Sequence, residues 1–232
     1  MDAHGDTDSL DAGRRERIRA NYEAVLERIA AAAARAKRDP AGVTLVAVTK
    51  AVSLAETRYL CELGATHLGE NRLNVAAPKI EALGSAAHWH MIGPIQRRKA
   101  KDVVSLFNRV DAIDRIVAAE ALERRCGEED KRIEALVEVN VSGEDSKHGF
   151  TPDALGDALK RLFTLEHIEV KGFMTMAPFV ADPEETRPVF RKLRTLAERH
   201  GLAVVSMGMT NDFEVAVEEG ATEVRVGSAL FA

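Results

Sequence analysis

Short apolar runs rich in β-branched residues recur along this chain, separated almost everywhere by segments with helical signals. The first run, residues 43–49 (VTLVAVT), is apolar on both faces and too short for a buried helix. Further strand-like runs fall at about 66–68, 88–92, 110–113, 133–141, 168–174, 203–206 and 223–226. Ser53-Leu54-Ala55-Glu56 is a capping box that opens a helix to about residue 63. Pro152 follows Thr151 at the first position of another helix, and Asp182-Pro183 with Glu185 opens a third. Helices are also expected up to residue 83, over about 98–107 and 115–125, and after Asn211.

Strands that alternate with helices run parallel, because each helix returns the chain to the start of the sheet. Near-continuous apolar strands mean that both faces of that sheet are covered. Eight such units in 232 residues fit a single closed (β/α)8 TIM barrel. The competing architecture is an open doubly wound sheet. It usually has about five or six strands and a glycine-rich turn after the first, where this chain has Thr49-Lys50-Ala51. Ahead of the barrel, Ile18, Tyr22, Val25 and Ile29 recur at spacings of three and four. They mark an extra N-terminal helix over about 14–37, expected to plug or cover one end of the barrel. Residues 1–13 carry four Asp and one large apolar side chain and read as a disordered tail, leaving 14–232 as one domain.

Acidic side chains (37) outnumber basic ones (32), which argues against a chain whose main work is to hold nucleic acid. The densest basic cluster, Arg97-Arg98-Lys99 with Lys101, has no interleaved aromatics and reads as a solvated helix start. No apolar run approaches the roughly 20 residues of a membrane span, and the start lacks the basic-then-apolar order of a signal peptide. Cys61 and Cys126 are far apart and form neither a disulfide framework nor a CxxC pair. A cytoplasmic chain with neither nucleic acid nor membrane as partner is expected.

In a barrel of this kind, functional groups stand on the loops that follow the strands. Lys50 ends the first strand on the same face as Val46 and Val48. If that face is the interior, the ammonium is partly desolvated at the mouth, which lowers the pKa of an amine and favours Schiff-base chemistry. The alternative is a surface lysine that merely terminates a strand. After strand seven comes Gly208-Met209-Thr210, and after strand eight Gly227-Ser228. These are the two loops where the fold recurrently binds phosphate, and glycines let backbone N–H groups approach an anion; ordinary turn glycines are the alternative. Arg225 points inward by parity and needs an acceptor, either a ligand or a structural carboxylate such as Glu138. Glu138 and Asn140 share a face and suggest a polar mouth. His88 and His90 share a face too, but two imidazoles do not close a zinc site, so no metal is expected.

The stretches VAVTK (46–50), LGEN (68–71), WHMIGPIQRRK (89–99), VNVSGEDSKHGF (139–150), GFMTMAP (172–178) and SMGMTNDFEVAVEEGATEVRVGSALFA (206–232) together resemble the pyridoxal-phosphate homeostasis proteins, single-domain relatives of the alanine-racemase barrel. The resemblance spans about 14–232 and implies the fold type III barrel of the alanine racemase N-terminal domain. It implies that Lys50 holds pyridoxal 5′-phosphate as a Schiff base, and that Met209, Thr210, Gly227 and Ser228 cradle the phosphate. Arg225 would face the pyridine nitrogen, Asn71 and His90 would line the pocket, and Lys147 would be a second amine near the mouth. An arginine cannot give up its proton, so the ring beside it is a weak electron sink. The chain departs from the family pattern at Arg97-Arg98, where Ser-Asn is usual, at Arg72-Leu73-Asn74 after the GEN motif, and at Thr210, where serine is typical.

Related racemases use a second domain and a tyrosine on the far side of the cofactor. Tyr22 and Tyr59 lie in expected helices, and the chain ends five residues after Gly227. The expected function is therefore a carrier or buffer of the cofactor, with no catalytic residues, acting as a monomer and handing the aldehyde to apo-enzymes. The alternatives are an amino-acid racemase, or a Schiff-base lyase acting on a sugar phosphate.

Overall fold

The computed structural model describes residues 10–144 and 148–232. Eight strands form a closed parallel barrel in which every strand pairs with its sequence neighbours and the first closes on the last. They are β1 (Thr44–Val48), β2 (His67–Glu70), β3 (His88–Met91), β4 (Arg109–Ile113), β5 (Ile133–Glu138), β6 (Ile168–Met174), β7 (Val204–Ser206) and β8 (Glu223–Val226). The helices are α1 (Ala12–Arg35), α2 (Leu54–Glu62), α3 (Leu73–Leu83), α4 (Ala100–Leu106), α5 (Ile116–Glu128), α6 (Pro152–Leu162), α7 (Arg187–Arg199), α8 (Phe213–Glu218) and the single turn α9 (Ser228–Phe231). Among the described residues, no helix is long and apolar enough to cross a membrane.

Local chemistry sets these boundaries. The capping box forms as the sequence predicts: the Ser53 side chain accepts from the Glu56 N–H, and the Glu56 carboxylate accepts from the Ser53 N–H. Thr151 caps α6 ahead of Pro152. Asp11 caps α1 by accepting from the Arg14 N–H, so helix replaces the last residues of the expected tail; residues 1–9 lie outside the described residues. Strand β5 stops short of the expected residue 141. Beyond Val139 the Asn140 side chain accepts from the Gly143 N–H at 3.0 Å and donates to the Glu144 carbonyl at 2.8 Å, which turns the chain away from the sheet.

The main core lies between the barrel and its ring of helices, where Trp89, Phe173, Phe190, Phe213, Leu60 and Leu122 are fully buried. Each such side chain contributes about 1.5–3 kcal/mol relative to exposure. The long helix α1 lies in that ring, which corrects the expectation that it plugs or covers one end of the barrel. Ile18, Tyr22, Val25 and Ile29 are buried, and the helix packs against α2, α8 and α9. Arg14 pairs with Glu56 of α2 at 2.6 Å, and Arg28 with Glu214 of α8 at 2.7 Å. The reason is a vacancy: α9, the helix after β8, is one turn long and cannot cover the β8–β1 seam, so α1 takes that place.

Two register shifts shape the interior. In β4 one extra residue lies between Val110 and Ile113, so Asp111 and Ala112 both face inward. In β6 the shift falls at Lys171 and leads into Gly172, which packs directly on β7. A Cβ at Gly172 would overlap the Val204 backbone carbonyl. Replacing Gly172 by Ala is expected to cost on the order of 3 kcal/mol, read as a lower urea midpoint with an unchanged slope.

Candidate functional site

A cavity of about 590 Å³ opens at the C-terminal end of the barrel. Its walls come from the loops after several strands and include Lys50, Asn71, Met209, Thr210, Arg225, Gly227 and Ser228. Seven residues singled out in the sequence are thus brought together from four loops and the last strand. Closure of β8 on β1, with Arg225 opposite Val46, sets the Lys50 turn beside the Gly227 turn.

Lys50 is exposed at the rim rather than partly buried as expected from sequence. Its backbone is anchored from below. The buried Lys79 ammonium donates to the Thr49 carbonyl at 2.6 Å and to Glu70 Oε1 at 2.8 Å, and the Thr49 hydroxyl donates to the same oxygen at 2.7 Å. This pair holds the end of β1 against β2 immediately before Lys50. Glu70 belongs to the GEN motif, but Lys79 carries no signal of its own in the sequence.

The loops after β7 and β8 are equally organised. Gly208 has a φ of +90°, and a Cβ there would come within 2.8 Å of the Phe213 backbone. Only glycine permits this close turn. Asp212 Oδ1 accepts from the Met209 N–H at 2.6 Å and ties the loop together. The Ser228 and Thr210 hydroxyls meet at 3.0 Å, joining the loops after β7 and β8. Asp212 lines the cavity and was not singled out in the sequence; its spacing after the GMT turn was the available signal.

Arg225 is buried beneath the cavity. It donates to the Ser206 hydroxyl at 2.7 Å and to the Thr175 carbonyl at 2.9 Å. Among the described residues it forms no ion pair with Glu138, so the structural pairing considered from sequence is not made. Burial pushes the Arg225 guanidinium down from its ordinary value, against the pull of Asp111, Glu223, Glu138 and Asp212. It remains a cation held by neutral partners. Asn71 lines the cavity, and its Oδ1 is buried with no hydrogen-bond partner among the described residues, the condition of a polar atom short of a donor. An amine, a hydroxyl-lined turn pair, a buried cation and an orphaned acceptor fit a phosphorylated aldehyde.

His90 does not line this cavity. On β3 it faces inward one layer below Ile92, which does, and it is fully buried against His67, His88 and Asp111. Asn140 is also spent elsewhere, on its own loop. Lys147 lies outside the described residues. Arg97 and Arg98 are exposed and share a surface depression with Arg124 and Arg125, and neither lines the cavity. Neither tyrosine is a wall of the cavity: Tyr22 is in α1, and Tyr59 lies in α2 beneath the Arg15 guanidinium at 4.2 Å.

Residues 14–232 match the family described as alanine racemase, N-terminal domain. A pyridoxal phosphate homeostasis protein from Aquifex aeolicus is 37% identical over 214 residues, covering 89% of this chain and 94% of that protein. The chain belongs to the pyridoxal phosphate homeostasis protein family. Its structural relatives agree. A crystal structure of an unknown protein from Bifidobacterium adolescentis superposes with a TM-score of 0.91 at 32% identity, covering 97% of this chain and 98% of that one. PipY of Synechococcus elongatus, solved with pyridoxal phosphate bound, superposes with a TM-score of 0.77 at 32% identity, covering 90% of this chain and all of that one (100%).

Glu138, near the barrel mouth, carries a testable strain. Burial raises its carboxyl above the usual range and Asp114 adds to this, against weaker pulls from His148 and Arg225. A carboxyl raised in the folded state is penalised while charged, and the penalty is relieved as pH falls through its folded value. Glu138→Gln is therefore expected to raise the denaturation midpoint at pH 7. The gain should fade as the pH falls towards the ordinary carboxylate range, measured by urea unfolding at several pH values.

Proposed function

We propose that this chain carries pyridoxal 5′-phosphate on Lys50 and serves intracellular homeostasis of that cofactor without substantial catalysis. The cavity that gathers Lys50, the Thr210–Ser228 hydroxyl pair and Arg225 in one barrel mouth carries this reading. When bound, the cofactor supplies an aldehyde that condenses with a primary amine and releases water. Lys50 Nζ is the amine in reach of solvent at the rim. Met209, Thr210, Gly227 and Ser228 would hold the phosphate, and Asn71 would line the pocket beside it.

Arg225 would face the pyridine nitrogen. It has no proton to release there, and Ser206 and Thr175 keep its guanidinium in place. That disfavours the carbanion chemistry on which racemisation depends. No tyrosine lines the cavity among the described residues, so a second acid/base of that type is missing from its walls. The reading takes the carrier to be a monomer. The two unpaired thiols, Cys61 and Cys126, suit a reducing cytoplasm.

Delivery to apo-enzymes would use the rim. Phe179 is 89% exposed at the cavity edge, and Met209, another lining residue, is 38% exposed. Exposed apolar side chains around a bound group are suited to brief contact with an acceptor protein.

Two measurements test the proposal. The purified protein should absorb in the visible near neutral pH, and borohydride should fix the cofactor on the peptide that contains Lys50. Lys50→Ala should abolish the band with the circular dichroism spectrum unchanged. A variant that stays yellow with cofactor on another lysine, or alanine racemisation at about 1 s⁻¹ or faster, would overturn it. Phe179→Ala should leave cofactor binding intact and slow reactivation of an apo-enzyme several-fold.

A further inference from the structure

At the opposite, N-terminal end of the barrel the interior holds a cluster that the cofactor cavity does not use. His67 opens β2 and His88 opens β3, and the register sets them directly side by side. His90, two residues on, faces the same interior. His67 Nδ1 lies 2.9 Å from His90 Nε2, and His88 Nδ1 lies 3.2 Å from the same atom. The three ring nitrogens fall within 4.8 Å of one another, and the rings stand 5.0–5.3 Å apart at tilted angles. The sequence showed only two of these imidazoles; the third needed the β2–β3 register.

The far side of His90 is already held by a carboxylate. His90 Nδ1 lies 3.1 Å from Asp111 Oδ2. Asp111 is in turn held by Arg109 Nε at 2.7 Å, and Arg109 Nη1 reaches Glu223 at 2.8 Å. A carboxylate on one imidazole nitrogen places the proton there and leaves the lone pair on the other, the arrangement found behind metal-bound histidines. The Nε2 lone pair of His90 is therefore aimed at the two neighbouring rings. Metal–nitrogen bonds of 2.0–2.1 Å at tetrahedral angles subtend nitrogen–nitrogen edges of about 3.3 Å. Two of the three edges here are within a few tenths of an ångström of that value.

We propose that His67, His88 and His90 bind a first-row divalent cation, with Asp111 orienting His90. An all-imidazole set without thiolate suits Zn²⁺, and also Cu²⁺ or Ni²⁺, rather than Mg²⁺ or Ca²⁺. Three protein ligands leave a fourth position for water. The half-buried His67 and His88 give the site access to solvent, whereas His90 is sealed inside. Such an ion would cross-link β2 to β3 and, through Asp111, to β4 at the base of the barrel. Conserving structure is the usual role of that end of the fold, and no reaction at Lys50 is routed through it. The proposal reverses the expectation of no metal and is independent of the cofactor reading.

The competing arrangement is hydrogen bonding alone, with the His67 and His88 N–H groups sharing the one His90 lone pair. Titration of the full chain, purified without a histidine tag and stripped with a chelator, separates the two. Zn²⁺ calorimetry should give one ion per chain, and Co²⁺ should give the intense visible bands of a tetrahedral site. In the unmodified protein, Zn²⁺ should shift the ring signals of three of the seven histidines by NMR. Zn²⁺ should also raise the thermal midpoint, with the visible cofactor band unaltered. His67→Gln and His88→Gln, both at half-exposed positions, should each weaken binding at least about tenfold, and the double variant should lose it. The absence of saturable one-to-one binding, undiminished binding in the double variant, or shifts confined to other histidines such as His4 would overturn the proposal.

Discussion

Closure of the sheet is the constraint on which the rest of this molecule depends. Eight parallel strands leave no edge only if β1 finds β8, and their pairing from Thr44–Glu223 to Ala47–Val226 does this. The same pairing places the first strand's lysine beside the last strand's glycine and serine. A site whose residues stand at opposite ends of the chain is thus a by-product of hydrogen-bonding the final edge. Loop closure over so long a chain is entropically costly, and the buried core between barrel and helices offsets it.

The barrel interior divides polar work between its two ends. At the N-terminal end Arg109, Asp111 and Glu223 satisfy one another, and Asp111 also takes one ring nitrogen of His90. Burial works against the Asp111 carboxylate, but His90 and Arg109 outweigh it and hold the group far below the usual range. At the C-terminal end Arg225 has only neutral oxygen partners, and Asn71 Oδ1 has none. Buried polar groups that are satisfied read as structure, and those left short of partners read as a ligand site. The contrast between the two arginines makes the distinction: Arg109 is neutralised by two carboxylates, whereas Arg225 keeps its charge available to the cavity.

Most of the architecture was legible because each element announces itself locally. Strands β6 and β8 fall where the apolar runs put them, and the capping box of α2 and the Thr151 cap of α6 form as their residue types require. Departures occur where a neighbour decides. The placement of α1 on the flank depends on the shortness of α9, and the early end of β5 on the Asn140 side chain. The β4 and β6 bulges are invisible in an alternating pattern because each inserts one residue without changing composition.

The site shows the same division. Lys50, Arg225 and the two glycine-containing turns could be placed by strand parity and by their position at strand ends, since the periodicity of two is a local property. His90 could not: parity turned it inward, but depth along the barrel axis, which separates the cavity from the layer beneath, depends on strand tilt and register. For the same reason His67 was silent until β2 was laid against β3, and Lys79 until α3 folded its ammonium back onto the end of β1. The sequence by itself determined the alternation, the barrel and the face on which each side chain stands, because these follow from backbone geometry and apolar period. Only the tertiary structure decided which layer each inward side chain occupies and which polar groups meet there, because inter-strand register is set by packing across the whole closed sheet.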